Sequence, residues 1–294
     1  MPWPSAAVRA RLDGEYGSNY FLLCLPLEPE ASVMIQDLPF LAASRPPRRM
    51  RPLSALRHFR ALMRDAEDTA QVFHMGECLP NRSMRRIAER FCASAEGRAR
   101  MQSEPSLAAM LDDHEKLLGH GPQSVAHAYV RFMRAEGLSA AGLVEASTLP
   151  GQATHADQFG WFNDRLRDTH DLAHVLTGYG RDPLGEQCVL GFTSSQCRDW
   201  TETIIAWAGT AEFALRLRSD APFVGAVAEA RRHGRAAQAI FAQDIRALLA
   251  EPLAAARARM GIADPQVYRR AHDRLRAAGI DPYRIGGPAR PLAT

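Results

Sequence analysis

Four residues in the middle of the chain have the types and spacing of a metal site. His170, Asp171 and His174 come first, and Glu186 follows His174 after eleven intervening residues. Histidines four apart project from one face of a helix, one turn above the other. Asp171 lies about 100° round the same cylinder and reaches the same small volume. The segment Thr177-Gly178-Tyr179-Gly180-Arg181-Asp182-Pro183-Leu184-Gly185 reads as a turn that folds Glu186 back toward the helix. Two imidazoles and two carboxylates suit a borderline or hard divalent ion. The first expectation is Zn2+, and Mn2+ and Fe2+ suit the same set. The four side chains are expected to act as metal ligands and, through the metal, as the catalytic residues.

Other chemistries lose support by motif. There is no Walker-type phosphate loop, no G-x-G-x-x-G and no G-x-S-x-G elbow. The helix does not carry H-E-x-x-H, because aspartate follows the first histidine. A phosphohydrolase of the His-Asp type is a fairer rival, with His114, His120 or His127 as its more distant ligands. The short path from His174 to Glu186 argues against it.

The chain that must position these groups has 294 residues, enough for one large domain or two small ones. Hydrophobic residues make up 46% and charged residues 23%, the balance of a globular protein. A net charge of +3 is too small to argue for nucleic acid. Lys116 is the only lysine, so the basic charge is almost all arginine. Cys24, Cys78, Cys92, Cys188 and Cys197 are odd in number and form no C-x-x-C pair, which fits a reducing cytoplasm. Cys188 reads as a packing residue rather than a ligand. The N-terminus does not read as a signal peptide, and no apolar run approaches the roughly 20 residues needed to span a bilayer.

Along the chain, Tyr20 to Leu27 reads as a strand or a buried helical turn. Arg45-Pro46-Pro47-Arg48-Arg49-Met50-Arg51-Pro52 reads as a proline-stiffened linker, either solvated or lying on anionic lipid headgroups. Helical period dominates from Leu53, with Leu56, Phe59, Leu62 and Met63 as an inward stripe. A second helix holds Ala70, Val72 and Phe73, and Asn81 or Ser83 caps a third. Ser106 opens another, and Ser124 caps one with Val125, Tyr129, Phe132 and Met133 inward. A short helix over Leu138 to Ala146 precedes the motif helix, whose stripe is Phe159, Phe162, Leu166 and Ala173. Trp200 to Leu217 is apolar on most faces, which predicts a central helix or one lining an apolar pocket. Further helices follow around Gly234, up to Gly261, and up to Gly279. No period-two alternation is long enough for a sheet. The fold class expected is mainly α, a single-domain, bundle-like fold with a metal site on one helix and the following turn. Residues 1–52 read as an irregular extension and linker, 53–279 as the helical domain and 280–294 as a tail.

At the motif, H-D-x-x-H followed after eleven residues by Glu, the sequence resembles the ubiquinone (coenzyme Q) biosynthesis protein 4 family. Its flanks are also similar to that family: Arg64 to Phe73 with Asp68-Thr69, His127 to Met133, Gly234 to Ala237 and Glu251 to Ile262. The resemblance runs from about Leu53 to Ala263. It implies a helical protein binding a prenylated quinone precursor, with the ring carboxylate removed and replaced by a hydroxyl. It also implies other ubiquinone-biosynthesis proteins as partners, peripheral contact with the cytoplasmic side of the inner membrane, and a homodimer. Two alternatives stand beside this enzyme: a non-catalytic prenyl-lipid scaffold with the metal pinning two helices, and the His-Asp phosphohydrolase. Where the family has aromatic or acidic residues before the motif, this chain has Arg165-Leu166-Arg167-Asp168-Thr169. Asp168 reads as a helix-surface charge or an acceptor for an imidazole N–H. Arg167 reads as solvated or as a partner for a substrate carboxylate.

Overall fold

The computed structural model describes residues 34–285, apart from 48, 65–67, 69, 149–154 and 218. The element read at Tyr20 to Leu27, Cys24 and the end of the tail lie outside those residues. Among the described residues there is no strand, only an isolated antiparallel bridge between Ser124 and Pro252. The architecture is mainly helical, in a single helical domain.

Helix α1 (Pro52–Arg64) packs on α2 (Ala70–Cys78). The inward stripe expected of α1 is only partly right. Ala55 and Leu62 are buried, whereas Leu53 is 80% and Leu56 44% exposed. The Asn81 side chain accepts from the amides of Ser83 and Met84 and so starts α3 (Arg82–Ala93). Helix α4 (Ala95–Ser103), capped by Ser94, escapes periodicity because Met101 is its only large apolar residue. The single helix expected from Ser106 is divided into α5 (Ala108–Asp112) and α6 (His114–Leu117), the second capped by Asp113. Ser124 caps α7 (Val125–Glu136), which ends at Gly137 with φ 66°. Then comes α8 (Ala140–Ser147).

The motif helix is two helices, α9 (Gln158–Asp168) and α10 (His170–Thr177), joined at Thr169. Their successor α11 (Pro183–Cys197) is the central helix, in contact with α3, α10, α12, α13 and α16. It is buried along its length, and an all-round burial pattern leaves no polar face for sequence periodicity to detect. Helix α12 (Trp200–Leu217) occupies the span expected of it but exposes Ile204 and Leu215. Helix α13 (Phe223–Ala236) crosses α11 closely at Gly191 and Gly234; a Cβ on Gly234 would stand 2.3 Å from the Phe192 carbonyl oxygen. Helices α14 (Ile245–Ala250), α15 (Leu253–Met260) and α16 (Gln266–Ala277) complete the body.

The segment before α1 is tied to α9. Arg45 donates from Nε and Nη2 to the two carboxylate oxygens of Asp157, each at 2.7 Å, and Asp157 caps α9 through the Gly160 amide. The first arginine of the expected linker is therefore paired rather than solvated. Cys78, Cys92, Cys188 and Cys197 are free and buried.

Candidate metal centre

The site forms where α10 meets the start of α11. Helix α10 buries Leu172, Ala173 and Leu176 against the core, so His170 and His174 sit together on its remaining face. Phe132 of α7 stacks on the His174 ring at 5.3 Å between centroids, which fixes the plane of the imidazole. Gly178, with φ 77°, ends α10 in the left-handed conformation that glycine adopts most readily. The chain then doubles back and presents the Tyr179 carbonyl oxygen 3.1 Å from His174 Nδ1. A carbonyl only accepts, so Nδ1 carries a proton, and Nε2 is the nitrogen that a neutral ring would leave with a lone pair.

Glu186 stands in the first turn of α11, one turn inside its N-terminus, rather than in the connecting turn. Asp182 caps that helix by accepting from the Gly185 amide at 3.2 Å. Asp182 is fully buried and held from α16, accepting from His272 Nε2 at 3.0 Å and from the Tyr268 hydroxyl. Tyr268 also accepts from the Gly180 amide at 3.0 Å. Gly185 leaves no room for a side chain, since its Cβ would lie 1.9 Å from the Gly180 carbonyl oxygen.

These constraints bring His170, His174 and Glu186 together, with one ligand atom from each within 4.8 Å of the others. Both Nε2 atoms lie 3.4 Å from the same Glu186 oxygen, Oε2. Donors about 2.1 Å from one ion at tetrahedral angles are about 3.4 Å apart, so the spacing is that of a coordination edge. His174 Nε2 is buried, faces the cluster and has no hydrogen-bond partner. The donor set therefore fits a divalent cation. Burial lowers the pKa of His170, but its contact with Glu186 outweighs this and lifts it to about 9. For Glu186, burial acts upward, while attraction to His174 and contact with both imidazoles hold the carboxyl well below the usual range.

Asp171, expected as a fourth ligand, lies outside this group of three. It is buried, lines the same cleft, and its charge reinforces burial in raising the pKa of the Tyr129 hydroxyl on α7. Among the described residues, none of His114, His120 and His127 joins the cluster, and His127 is engaged with the Leu118 carbonyl at 2.9 Å. Asp168 is neither a surface charge nor an imidazole partner. It is buried, receives Arg167 at 2.8 Å and accepts from the backbone at Leu107 and Ala108. Arg167 is divided among Asp168, Asp164 and the Ser147 hydroxyl. Cys188 is buried outside the cluster, and burial raises its thiol pKa well above the ordinary value.

The cluster opens on a cleft of about 1780 Å³. Leu62, Met63, Leu138, Leu143, Leu190 and Ile205 give it apolar walls. Two polar neighbours have no counterpart in the motif. Arg181 Nε lies 3.9 Å from Glu186 Oε1. Glu202, on α12, faces the cleft and is raised above the usual carboxylate range by burial and by Asp199. Glu202 stands sixteen residues beyond Glu186 on a different helix, so no local spacing marks it.

A family model described as coenzyme Q (ubiquinone) biosynthesis protein Coq4 matches residues 50–266. No curated protein matches the sequence. A crystal structure from Nostoc punctiforme, of a protein provisionally assigned to ubiquinone biosynthesis, superposes with a TM-score of 0.54 at 16% identity. The match covers 74% of this chain and 100% of that one. At that identity the likeness is one of fold.

Proposed function

This chain belongs to the Coq4 family of coenzyme Q (ubiquinone) biosynthesis proteins, and from that premise we propose that it is a metal-dependent enzyme of ring modification. Its substrate in this reading is a polyprenylated 4-hydroxybenzoate-type intermediate, and its reaction removes the ring carboxyl group so that a hydroxyl can take its place. The observation that carries the reading is the cluster of His170, His174 and Glu186 on the wall of a cleft with apolar sides. When bound, a divalent ion supplies Lewis-acid stabilisation of the negative charge that builds on the ring as carbon dioxide leaves. The fixed tautomer of His174 keeps Nε2 ready as a donor, and Glu186 offers the matching negative charge. Apolar side chains such as Leu62, Leu143 and Leu190 suit a prenyl chain and keep water from the reacting ring. Arg181, beside Glu186, is placed to orient a ring carboxylate. Loss of the carboxyl with a proton in its place needs no oxidant. Installing a hydroxyl is a two-electron oxidation and calls for an external oxidant such as dioxygen.

The test is turnover by purified protein supplied with Zn2+, Mn2+ or Fe2+ and a prenylated hydroxybenzoate, with products identified by mass spectrometry. Carboxyl loss in the wild type and its absence in folded His174→Ala and Glu186→Gln proteins is the expected result. A metal-loaded protein that retains the substrate unchanged, with and without dioxygen, would refute the enzyme reading.

A second reading is favoured by one observation, that the three ligands come from two helices. There the ion pins α10 to α11, and the protein serves as a prenyl-lipid scaffold gathering other ubiquinone-biosynthesis proteins. Chelation would then lower the melting temperature and release those partners without any change in turnover.

A further inference from the structure

A second, smaller recess of about 480 Å³ forms where α11 ends against α3, and none of the metal ligands lines it. Ser83, Arg86, Glu89 and Arg90 of α3 border it, together with Arg198 at the end of α11. Arg86 and Arg90 stand four apart and so project from one face of their helix. Among the described residues, none of the three guanidinium groups makes an ion pair or a side-chain hydrogen bond, and Glu89 pairs with none of them.

Arg198 is also strained. Its backbone is left-handed, with φ 54° and ψ 40°. Among the described residues it is the only non-glycine with a positive φ, beside Gly137, Gly178, Gly261 and Gly279. Glycine would make the same helix end without strain. Asn81, the cap of α3, donates from Nδ2 to the Arg198 carbonyl oxygen at 3.2 Å and to Asp199 Oδ1 at 3.1 Å, which holds Arg198 beside α3. A strained non-glycine on the border of a recess is a sign that its side chain is used there.

We propose that the recess binds a soluble polyphosphate anion, of the inorganic diphosphate, triphosphate or nucleoside polyphosphate class. Guanidinium forks pair bidentately with phosphate oxygens, and three of them face a single carboxylate here. The Ser83 hydroxyl offers a further donor. A bilayer is the poorer occupant, because an interfacial helix needs an exposed apolar face. The apolar lining is limited to Ile87 and Ala93, and α3 exposes no large apolar side chain. Ser83 also lines the metal cleft, so recess and cleft share a wall at the start of α3. The site rests on neither reading of the metal centre.

The experiment is isothermal titration of the full-length protein with sodium diphosphate and sodium triphosphate. The wild type binds one anion per chain, saturably, and more weakly as salt rises. Arg86→Gln with Arg90→Gln, and Arg198→Gln alone, each lower the affinity about 10- to 100-fold, the range for lost hydrogen bonds to a charged group. Arg198→Gly weakens binding equally while its melting temperature stays at or above that of the wild type, since glycine relieves the backbone. All three positions are exposed, so unchanged melting temperatures show that the glutamine variants are folded. Absence of binding in the wild type, or binding unchanged by the recess substitutions, overturns the proposal. Equal loss in Arg270→Gln with Arg276→Gln, exposed arginines of α16 outside the recess, would make the effect one of overall charge and overturn it. Loss in His174→Ala would place the anion on the metal instead. Binding to phosphatidylcholine vesicles carrying phosphatidic acid, with none of the soluble anions bound, would assign the recess to a lipid headgroup and overturn the proposal equally.

Discussion

His174 Nδ1 stands 3.1 Å from the carbonyl oxygen of Tyr179, five residues further along the chain. This one contact decides which nitrogen faces Glu186. Were the carbonyl displaced, the neutral ring could hold its proton on Nε2 instead and present no lone pair to a cation there. The Gly178 turn that delivers the carbonyl is thus part of the site although it supplies no ligand.

Metal content should follow the cluster. His170→Ala, His174→Ala and Glu186→Gln are each expected to lose stoichiometric metal in elemental analysis of purified protein. Asp171→Asn, outside the group of three, should retain an ion with affinity weakened by about 10- to 100-fold, as for a supporting neighbour. Complete loss in Asp171→Asn would make it a direct ligand.

Ion uptake should release protons. In the metal-free protein His170 titrates at about 9, so near pH 7 it is charged and must give up its proton to bind. Calorimetry in buffers of different ionisation enthalpy should report about one proton released per ion. The sign for stability of the metal-free protein follows from the same pair. The raised His170 contributes fully below its ordinary value of 6.5 and loses that contribution as pH rises through about 9. The lowered Glu186 contributes above its ordinary 4.5 and loses its share in acid. Thermal scans of the metal-free protein should therefore show a fall from pH 6.5 to 9 that is absent in Glu186→Gln.

The support from α16 should be felt at the metal. Asp182→Ala removes a helix cap and strands the buried donors of His272 and Tyr268, at a cost of about 3–5 kcal/mol. Urea unfolding measures this directly. Tyr268→Phe, a milder change, should lower metal affinity while leaving all three ligands in place.

Two glycines should respond in opposite directions to alanine. At Gly185 the new Cβ meets the Gly180 carbonyl at 1.9 Å, so Gly185→Ala forces the start of α11 outward and carries Glu186 with it. Loss of both stability and metal is expected. At Gly76, inside α2, nothing lies within 4 Å of the added Cβ. Gly76→Ala should raise stability by about 0.5–1 kcal/mol in the same unfolding assay.

Local signals were the legible ones. Asn81 and Ser124 announced their helices because caps act over three residues, and the apolar span of α12 marked both of its ends. Spacing alone paired His170 with His174 and brought in Glu186. What spacing could not show depended on distant partners. The burial of Asp168 depends on Arg167 and on the backbone at Leu107 and Ala108, some sixty residues earlier. Helix α11 was hidden because a helix surrounded by protein has no polar face, and α4 because it has almost no apolar one.

The hold of Tyr268 and His272 on Asp182 spans 86 and 90 residues. On a ribosome, which releases the chain from its N-terminus, His170 and Glu186 emerge long before the helix that braces them. The three side chains can take this braced geometry only once α16 has emerged, well after they have themselves been synthesised. A chain cut before α16 would carry His170, His174 and Glu186 and still lack the brace behind Asp182.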